Sequence, residues 1–311
     1  MEDKITYRNL LMKMKKIKKN LIKLKHWKNS ARFDLNINLL EELTLSFENN
    51  SLPYFLNQKN KNGECIFMLK EVREFVSVFE ILFLYFEKLD KESTQELNNK
   101  IEHILSGPQF TSKETFINSK SRDYLFEIVM AAEFFKLGAE IQFRVHPDVL
   151  LKTANDYMVE CKRILFGDNE FKRLTGLSLE ACKQLFNSKK NTGIKMGIIA
   201  LDISSIFEQG RFLLKAKNER EVFYRVQTDM QNLHVILLHN NRILDYANRG
   251  LLTASVLYTS VVTDIGNKEL SWANQKSILA FSGQNPNRAR KFLNDFYKQS
   301  NADDLDKVLT Y

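Results

Sequence analysis

The chain is poor in cysteine, which cross-links small folds, and in proline and glycine, which form tight turns. Its 311 residues include three cysteines, four prolines and eleven glycines. The cysteines stand far apart, at positions 65, 161 and 182, with no Cys-x-x-Cys pair, so we expect neither a disulfide framework nor a structural zinc knuckle. The scarcity of glycine and proline leaves few tight turns, which argues against an all-β sandwich or barrel.

Long apolar runs are missing as well. The longest runs from Ile81 to Phe86 and is bounded by glutamates, whereas a membrane-spanning helix needs about 20 apolar residues. The amino terminus lacks the pattern of a secretory signal peptide, because lysines interrupt its apolar stretches. We therefore expect no membrane span and a cytoplasmic location. Apolar residues still make up 44% of the chain, which is ample material for a core.

The net charge of +8 is concentrated at the amino terminus, where residues 1–30 hold ten Lys or Arg and two Asp or Glu. Apolar side chains of this arm, at positions 10, 14, 17, 21 and 24, repeat with the spacing of one helix face. Three interpretations are open: a surface helix docked by its apolar stripe, a phosphate-binding arm, or adsorption to an anionic membrane. The candidate nucleic-acid contacts are Lys13, Lys15, Lys16, Lys18, Lys19, Lys23 and Lys25.

The chain is expected to have two parts that differ in the spacing of their apolar residues. Residues 1–107 read as an α-helical region, with helices near 39–47, 66–89 and 92–105, and the Ser-Gly-Pro sequence at 106–108 marks the boundary. In residues 108–311, stretches with the apolar spacing of helices alternate with stretches that have the spacing of strands. This predicts an α/β domain with a mixed β-sheet flanked by helices. The predicted elements are a helix at 123–137, strands at 139–145, 149–152 and 157–163, a helix at 177–187, strands at 194–201, 234–238 and 254–262, and a helix at 288–298.

Two features of the second part indicate chemistry. Glu127 is surrounded by apolar residues on a helix that should be buried, and a buried carboxylate costs several kcal/mol unless it is paired or bound to a cation. In the hairpin, Glu160 and Lys162 emerge on one face of their strand. With a three-residue loop at 154–156, Asp148 joins that face opposite Lys162, although a one-residue slip would remove it.

Two carboxylates beside a backbone carbonyl suit an oxygen-binding cation such as Mg²⁺, and a lysine there can orient a water or stabilise charge on phosphorus. The order Pro147-Asp148, eleven intervening residues, then Glu160-Cys161-Lys162 resembles the PD-(D/E)XK nuclease superfamily, which includes restriction endonucleases. The resemblance covers residues 121–205 and implies a restriction-endonuclease-like fold for the second part.

The resemblance also implies roles for individual residues. Asp148 and Glu160 would be metal ligands, the backbone carbonyl of Cys161 a third ligand, and Lys162 the residue that orients the attacking water. Glu127 would bind the metal directly or through water, and Gln184 would contact phosphate or the surroundings of Lys162. His146 beside the motif is interpreted as the cap of a strand and not as a base.

The expected activity is that of a Mg²⁺-dependent endonuclease acting on DNA, with Mn²⁺ able to substitute. Restriction or phage defence is the setting that the resemblance favours, and a homodimer would cut two strands. Two alternatives are kept. One is a catalytically silent nucleic-acid-binding or scaffolding module of the same fold. The other interprets Glu160 and Lys162 as cross-strand ion-pair partners on an exposed sheet edge.

Overall fold

The computed structural model describes residues 7–23, 31–49, 64–85, 88–107, 120–165, 170–208, 214–265, 269–285, 287–297 and 308–310. The chain divides into two compact units, Met1–Val129 and Met130–Tyr311. This division falls inside a helix, later than the boundary predicted after residue 107. Within the described ranges, no helix combines the length and the apolarity needed to cross a membrane.

The first unit is helical in every range described, as the sequence predicted. Its elements are α1 (Tyr7–Lys23), α2 (Ala31–Glu48), α3 (Glu64–Tyr85), α4 (Lys91–Ser106) and the first part of α5 (Lys120–Lys136). Asp90 starts α4 as its N-cap, because its side chain accepts a hydrogen bond from the main-chain N–H of Ser93 at 2.7 Å. The predicted helices were correct in type. Those at 39–47 and 92–105 were shorter than α2 and α4, whereas the one at 66–89 began two residues late and extended past Tyr85, the last residue of α3.

Helix α1 docks on the first unit through its apolar stripe and packs against α2 and α3. Four of the five predicted stripe residues are buried, and Leu24 lies outside the described residues. Lysines beside the stripe reach acidic side chains of α2 and α3, at N···O distances of 3.2 Å (Lys13–Glu80), 2.7 Å (Lys15–Glu41) and 2.6 Å (Lys18–Asp34). The structure therefore confirms that the apolar stripe docks α1 on the first unit, and phosphate contacts by its lysines stay a prediction.

Among its described residues, the second unit forms one mixed β-sheet of eight strands, six of them longer than three residues. The spatial order is β1-β2-β3-β4-β6-β7-β8, and the short β5 pairs with the far end of β6. Neighbours are antiparallel in β1-β2-β3 and in β6-β7, and parallel in β3-β4-β6. The strands are β1 (Glu140–Phe143), β2 (Val149–Lys152), β3 (Asp156–Arg163), β4 (Met196–Asp202), β5 (Leu214–Ala216), β6 (Leu252–Ile265), β7 (Glu269–Ala280) and β8 (Val308–Thr310).

Helices cover both faces of this sheet. On one face the core joins α6 (Glu170–Thr192) and α8 (Glu219–Leu238) to β3, β4 and β6. On the other face, α10 (Asn287–Tyr297) places Phe292 and Phe296 against the ring of Tyr157. Two short helices, α7 (Ser204–Glu208) and α9 (Asn241–Asn248), are also described in this unit. The predicted α/β class with a mixed sheet is confirmed.

The order α5-β1-β2-β3-α6-β4 matches the predicted order helix, three strands, helix and strand. The predicted strand at 234–238 was wrong, because these residues end α8. Its buried residues Val222, Val226, Met230, Leu233 and Leu237 recur at helical spacing. A short run of apolar residues cannot by itself distinguish the two states, and the spacing that decides the state lies upstream of the run.

Candidate metal centre

The β2-β3 hairpin sets the positions of the predicted acidic residues. Lys152 pairs with Asp156 and Val149 with Val159, so Asp148 comes opposite Glu160. The predicted pairing of Asp148 with Lys162 was therefore wrong by two residues. The loop is 153–155, closed by the hydroxyl of Thr153, which donates to the carbonyl of Asn155 at 2.7 Å. An even shift leaves every side chain on its predicted face, so Asp148, Glu160 and Lys162 share one face as expected.

Asp148 is held where the β2-β3 ladder ends. It follows Pro147, whose peptide bond with His146 is cis. Its carboxylate is buried, and its Oδ2 accepts a hydrogen bond from the main-chain N–H of Cys161 at 2.7 Å. The side chain of Asp148 thus takes the place of a strand carbonyl as the acceptor for β3. This contact fixes the carboxylate next to the strand that bears Glu160.

Three potential metal ligands converge at this point. Glu160 is fully buried, and the Nδ1 of His146 lies 3.9 Å from its Oε1. The ligand atoms of His146, Asp148 and Glu160 all lie within 4.8 Å of one another. Because metal–ligand bonds of about 2.0–2.2 Å allow opposite ligands to be about 4.2 Å apart, small side-chain adjustments would bring all three to one ion. The donor set therefore fits a divalent cation.

His146 is the member of this cluster that the sequence interpretation missed. Its side chain is 59% exposed, whereas the two carboxylates are buried. The one signal in the sequence was its position two residues before Asp148. Strand alternation could not have found it, because residues 145–148 form a bend between β1 and β2.

Lys162 lies on the same face of β3 as Glu160, two residues further along. Its ammonium Nζ is 3.4 Å from the Oε1 of Glu180 on α6, and its side chain is mostly buried. Strand β3 lies inside the sheet between β2 and β4. The alternative of an ion pair on an exposed edge was therefore wrong, since Glu160 is buried and the described partner of Lys162 is Glu180.

Gln184 lies one turn after Glu180 on α6, the helix that packs against β3 and β4. Residues four apart on a helix share a face, so Gln184 follows the residue that contacts Lys162. Its Oε1 is buried and has no hydrogen-bond partner among the residues described. The sequence predicted Gln184 as a phosphate contact, and that role stays a prediction.

Glu127 belongs to the first unit and has a different environment. Its Oε2 accepts a hydrogen bond from the Nζ of Lys100 at 2.5 Å, and the same ammonium lies 3.1 Å from Glu96. Lys100 also lies over the ring of Tyr124, at 4.8 Å from its centroid. The sequence required either a partner or a cation for this buried carboxylate. The contacts described for Glu127 supply a partner, and it is not one of the three clustered ligands.

Cys161 is buried on the opposite face of β3 from Glu160, as expected for a core residue. The predicted role of its carbonyl oxygen as a metal ligand stays a prediction. The seven predicted nucleic-acid contacts of the amino-terminal arm differ in their surroundings. Three of them form the ion pairs described above, and Lys25 lies outside the described residues. The remaining three are exposed: Lys16, Lys19 and Lys23.

Comparison with protein-family models, with curated proteins and with solved structures finds no match for this chain. The resemblance to the PD-(D/E)XK superfamily therefore rests on the motif and its positions in the fold.

Proposed function

We propose that the chain is a metal-dependent nuclease that hydrolyses phosphodiester bonds of DNA, with the restriction-endonuclease-like fold in its second unit. One observation carries the proposal: the ligand atoms of Asp148, Glu160 and His146 lie within 4.8 Å of one another. Lys162 shares their face of the sheet. Two carboxylates and an ammonium on one face are the parts that a phosphodiester hydrolase requires.

Asp148 and Glu160 are the residues that would hold the metal, for which we propose Mg²⁺ with Mn²⁺ as a substitute. A divalent ion bound there would supply Lewis-acid charge that stabilises the negative charge developing on the phosphate. Asp148 is well suited to a fixed ligand position, because the N–H of Cys161 orients its carboxylate. The burial of Glu160 keeps the other carboxylate away from bulk water, where competing hydration would weaken its interaction with a cation.

Lys162 would hold the attacking water and stabilise charge on the phosphate oxygens. In the structure its ammonium is 3.4 Å from Glu180, a distance at which the pair is not tightly bonded. Helix α6 also exposes three lysines, which favours the approach of a polyanion such as nucleic acid. These exposed lysines of α6 are Lys172, Lys183 and Lys190.

The same contact of Lys162 with Glu180 favours a second candidate, a catalytically silent DNA-binding module. If Glu180 holds the lysine permanently, the site lacks its cation for the phosphate. Tight binding of DNA in EDTA, without any product in Mg²⁺ or Mn²⁺, would be the result expected from that candidate.

The test is incubation of the purified full chain with supercoiled plasmid, linear duplex and single-stranded DNA, each with Mg²⁺, Mn²⁺ or EDTA. The variant is Lys162→Ala. The matched control is Lys152→Ala, which removes an exposed lysine at the far end of the same hairpin. We expect metal-dependent cleavage that Lys162→Ala reduces by about 100-fold or more, in the range typical of groups that assist proton transfer.

The control should cleave at the wild-type rate. Equal cleavage by the wild type and by Lys162→Ala would show that Lys162 is not part of the machinery. Absence of metal-dependent cleavage on all three substrates, in a protein that binds DNA, would replace the proposal with the silent module.

A further inference from the structure

We propose that His146 is a third protein ligand of this centre, and that it makes the centre select transition-metal ions such as Mn²⁺ over Mg²⁺. This inference rests on the proposed metal site formed by Asp148 and Glu160. It adds the residue that determines which ion the site takes, and it changes the expected physiological metal.

The positions of the three residues support this assignment. The two carboxylates are fixed and buried, one by the N–H of Cys161 and the other inside the sheet. The imidazole stands at the solvent side of the pair, with its Nδ1 3.9 Å from Glu160 Oε1. A ligand that is 59% exposed can rotate toward an ion at little cost in packing. The site therefore combines two rigid oxygen donors with one adjustable nitrogen donor.

The chemistry of the donors decides the preferred ion. Mg²⁺ is a hard cation that prefers oxygen ligands and retains several waters. An imidazole nitrogen adds little to the binding of Mg²⁺. First-row transition metals gain from a nitrogen donor, and the gain is smallest for Mn²⁺ and larger for Co²⁺ and Zn²⁺. A site of two carboxylates alone would discriminate weakly between Mg²⁺ and Mn²⁺. With His146 as a ligand, the preference for Mn²⁺ should depend on that one side chain.

The competing interpretation is that His146 only forms a charged pair with Glu160 when it is protonated. An ion pair of this kind would neutralise a carboxylate and would weaken the binding of every cation to the same extent. Removal of the imidazole would then increase the affinity for both Mg²⁺ and Mn²⁺. The two interpretations predict opposite signs for the change in Mn²⁺ affinity.

The experiment is isothermal titration of the full chain with MnCl₂ and with MgCl₂ at pH 7.5. The proteins are the wild type, His146→Ala and the control His239→Ala, which removes an exposed histidine at the end of α8. We expect His146→Ala to weaken Mn²⁺ binding by about tenfold or more and to change Mg²⁺ binding by less than about threefold. His239→Ala should bind both ions as the wild type does.

A spectroscopic readout identifies the ligand directly. Electron spin echo envelope modulation of bound Mn²⁺ should show coupling to an imidazole ¹⁴N in the wild type and in His239→Ala, and no such coupling in His146→Ala. Nitrogen coupling that persists in His146→Ala would overturn the assignment, as would equal changes in Mn²⁺ and Mg²⁺ affinity.

The outcomes also separate this inference from the proposed nuclease activity. Nitrogen-coupled Mn²⁺ without cleavage of any DNA would support the ligand assignment and contradict the nuclease. Metal-dependent cleavage with no nitrogen coupling would support the nuclease and overturn the role of His146. If neither Mn²⁺ nor Mg²⁺ binds, both the ligand assignment and the proposed nuclease are overturned.

Discussion

Replacement of the buried Glu160 by glutamine should have opposite effects on the stability of the metal-free protein and on metal binding. Glu160 is fully buried, and the ligand atoms of Asp148 and Glu160 lie within 4.8 Å of each other. Two ionised carboxylates at that distance repel by roughly 3 kcal/mol at an effective dielectric constant of about 20. Glu160→Gln keeps the shape of the side chain and removes this repulsion.

We therefore expect Glu160→Gln to raise the free energy of unfolding in EDTA by about 1–3 kcal/mol, after some loss of charge-assisted hydrogen bonds. The same change should abolish stabilisation by metal. A ligand at 100 times its Kd stabilises the native protein by about 2.7 kcal/mol. For a unit of this size, Met130–Tyr311, that corresponds to a rise in Tm of about 5–11 °C for the wild type.

The assay is thermal unfolding of the wild type, Glu160→Gln and the control Asp156→Asn, with EDTA and with a titration of MnCl₂. Asp156 is an exposed acid at the other end of the hairpin, so its variant should behave as the wild type in both conditions. A Tm of Glu160→Gln well below that of the wild type in EDTA would show that repulsion between the two carboxylates does not destabilise the fold. A full rise in the Tm of the variant with Mn²⁺ would show that Glu160 does not bind the metal.

Three further predictions concern other parts of the chain. Burial lowers the pKa of His234 from 6.5 to about 4, against the opposing effect of its bond to Ser277. The folded protein should therefore lose about 3 kcal/mol of stability as the pH falls from about 6.5 to 4. Denaturant unfolding of His234→Gln at several pH values should lack this dependence of stability on pH. Arg32→Met should lower the free energy of unfolding by about 3–5 kcal/mol, because it removes the bidentate partner of the buried Glu71; urea unfolding should show the loss, and a double variant with Glu71→Leu should recover most of it. Three lysines of α1 are exposed, Lys16, Lys19 and Lys23. Their replacement by alanine should reduce the steepness of log K for DNA binding against log salt concentration by about 3. An unchanged steepness would exclude these lysines from phosphate contacts.

The last of these predictions replaces the deletion of residues 1–30, which the sequence alone would suggest as a test. The apolar stripe of α1, including Leu10 and Met14, is fully buried in the first unit. Deletion would expose the partners of that stripe on α2 and α3 and would destabilise the unit. Surface substitutions leave the stripe in place, so a change in the salt slope can be assigned to charge.

Elements of the fold with a clear period could be predicted from the sequence. The helices α3 and α4 and the strands β2 and β4 were predicted because their apolar residues repeat over a sufficient length and end at polar or turn residues. The run at 234–238 was too short to show a period, and β7 was not predicted. Strand β7 follows β6 in a hairpin and pairs with it over twelve residues. The polar run Asn274-Gln275-Lys276-Ser277 interrupts the apolar alternation by which a strand is predicted.

For the candidate site, the sequence predicted which side chains share one face of the sheet, but it did not predict which residues they contact. Alternation along β3 put Glu160 and Lys162 on one side regardless of register, so the two-residue error in the hairpin did not matter. The partners depended on tertiary structure. Neither Glu180 for Lys162 nor Lys100 for Glu127 could be read from the sequence, because each pair joins elements that only the fold brings together.

The buried carboxylate of Glu127 illustrates the limit of reasoning from burial. The sequence correctly required a positive charge for this carboxylate, and the described positive charge is that of a lysine 27 residues upstream. Burial alone does not distinguish a metal ion from an ammonium group as the compensating charge. His146 shows the converse, since an exposed residue with no unusual sequence context completes the cluster.

The most direct test of a metal-dependent nuclease at this site is the initial rate of plasmid nicking in MnCl₂ by two variants that differ only in which acid is neutralised. Asp148→Asn changes the carboxylate that the N–H of Cys161 orients, and Asp156→Asn changes an exposed acid of the same hairpin. The account predicts wild-type nicking by Asp156→Asn and a loss of about 100-fold or more for Asp148→Asn. Equal nicking rates for the two variants would contradict it.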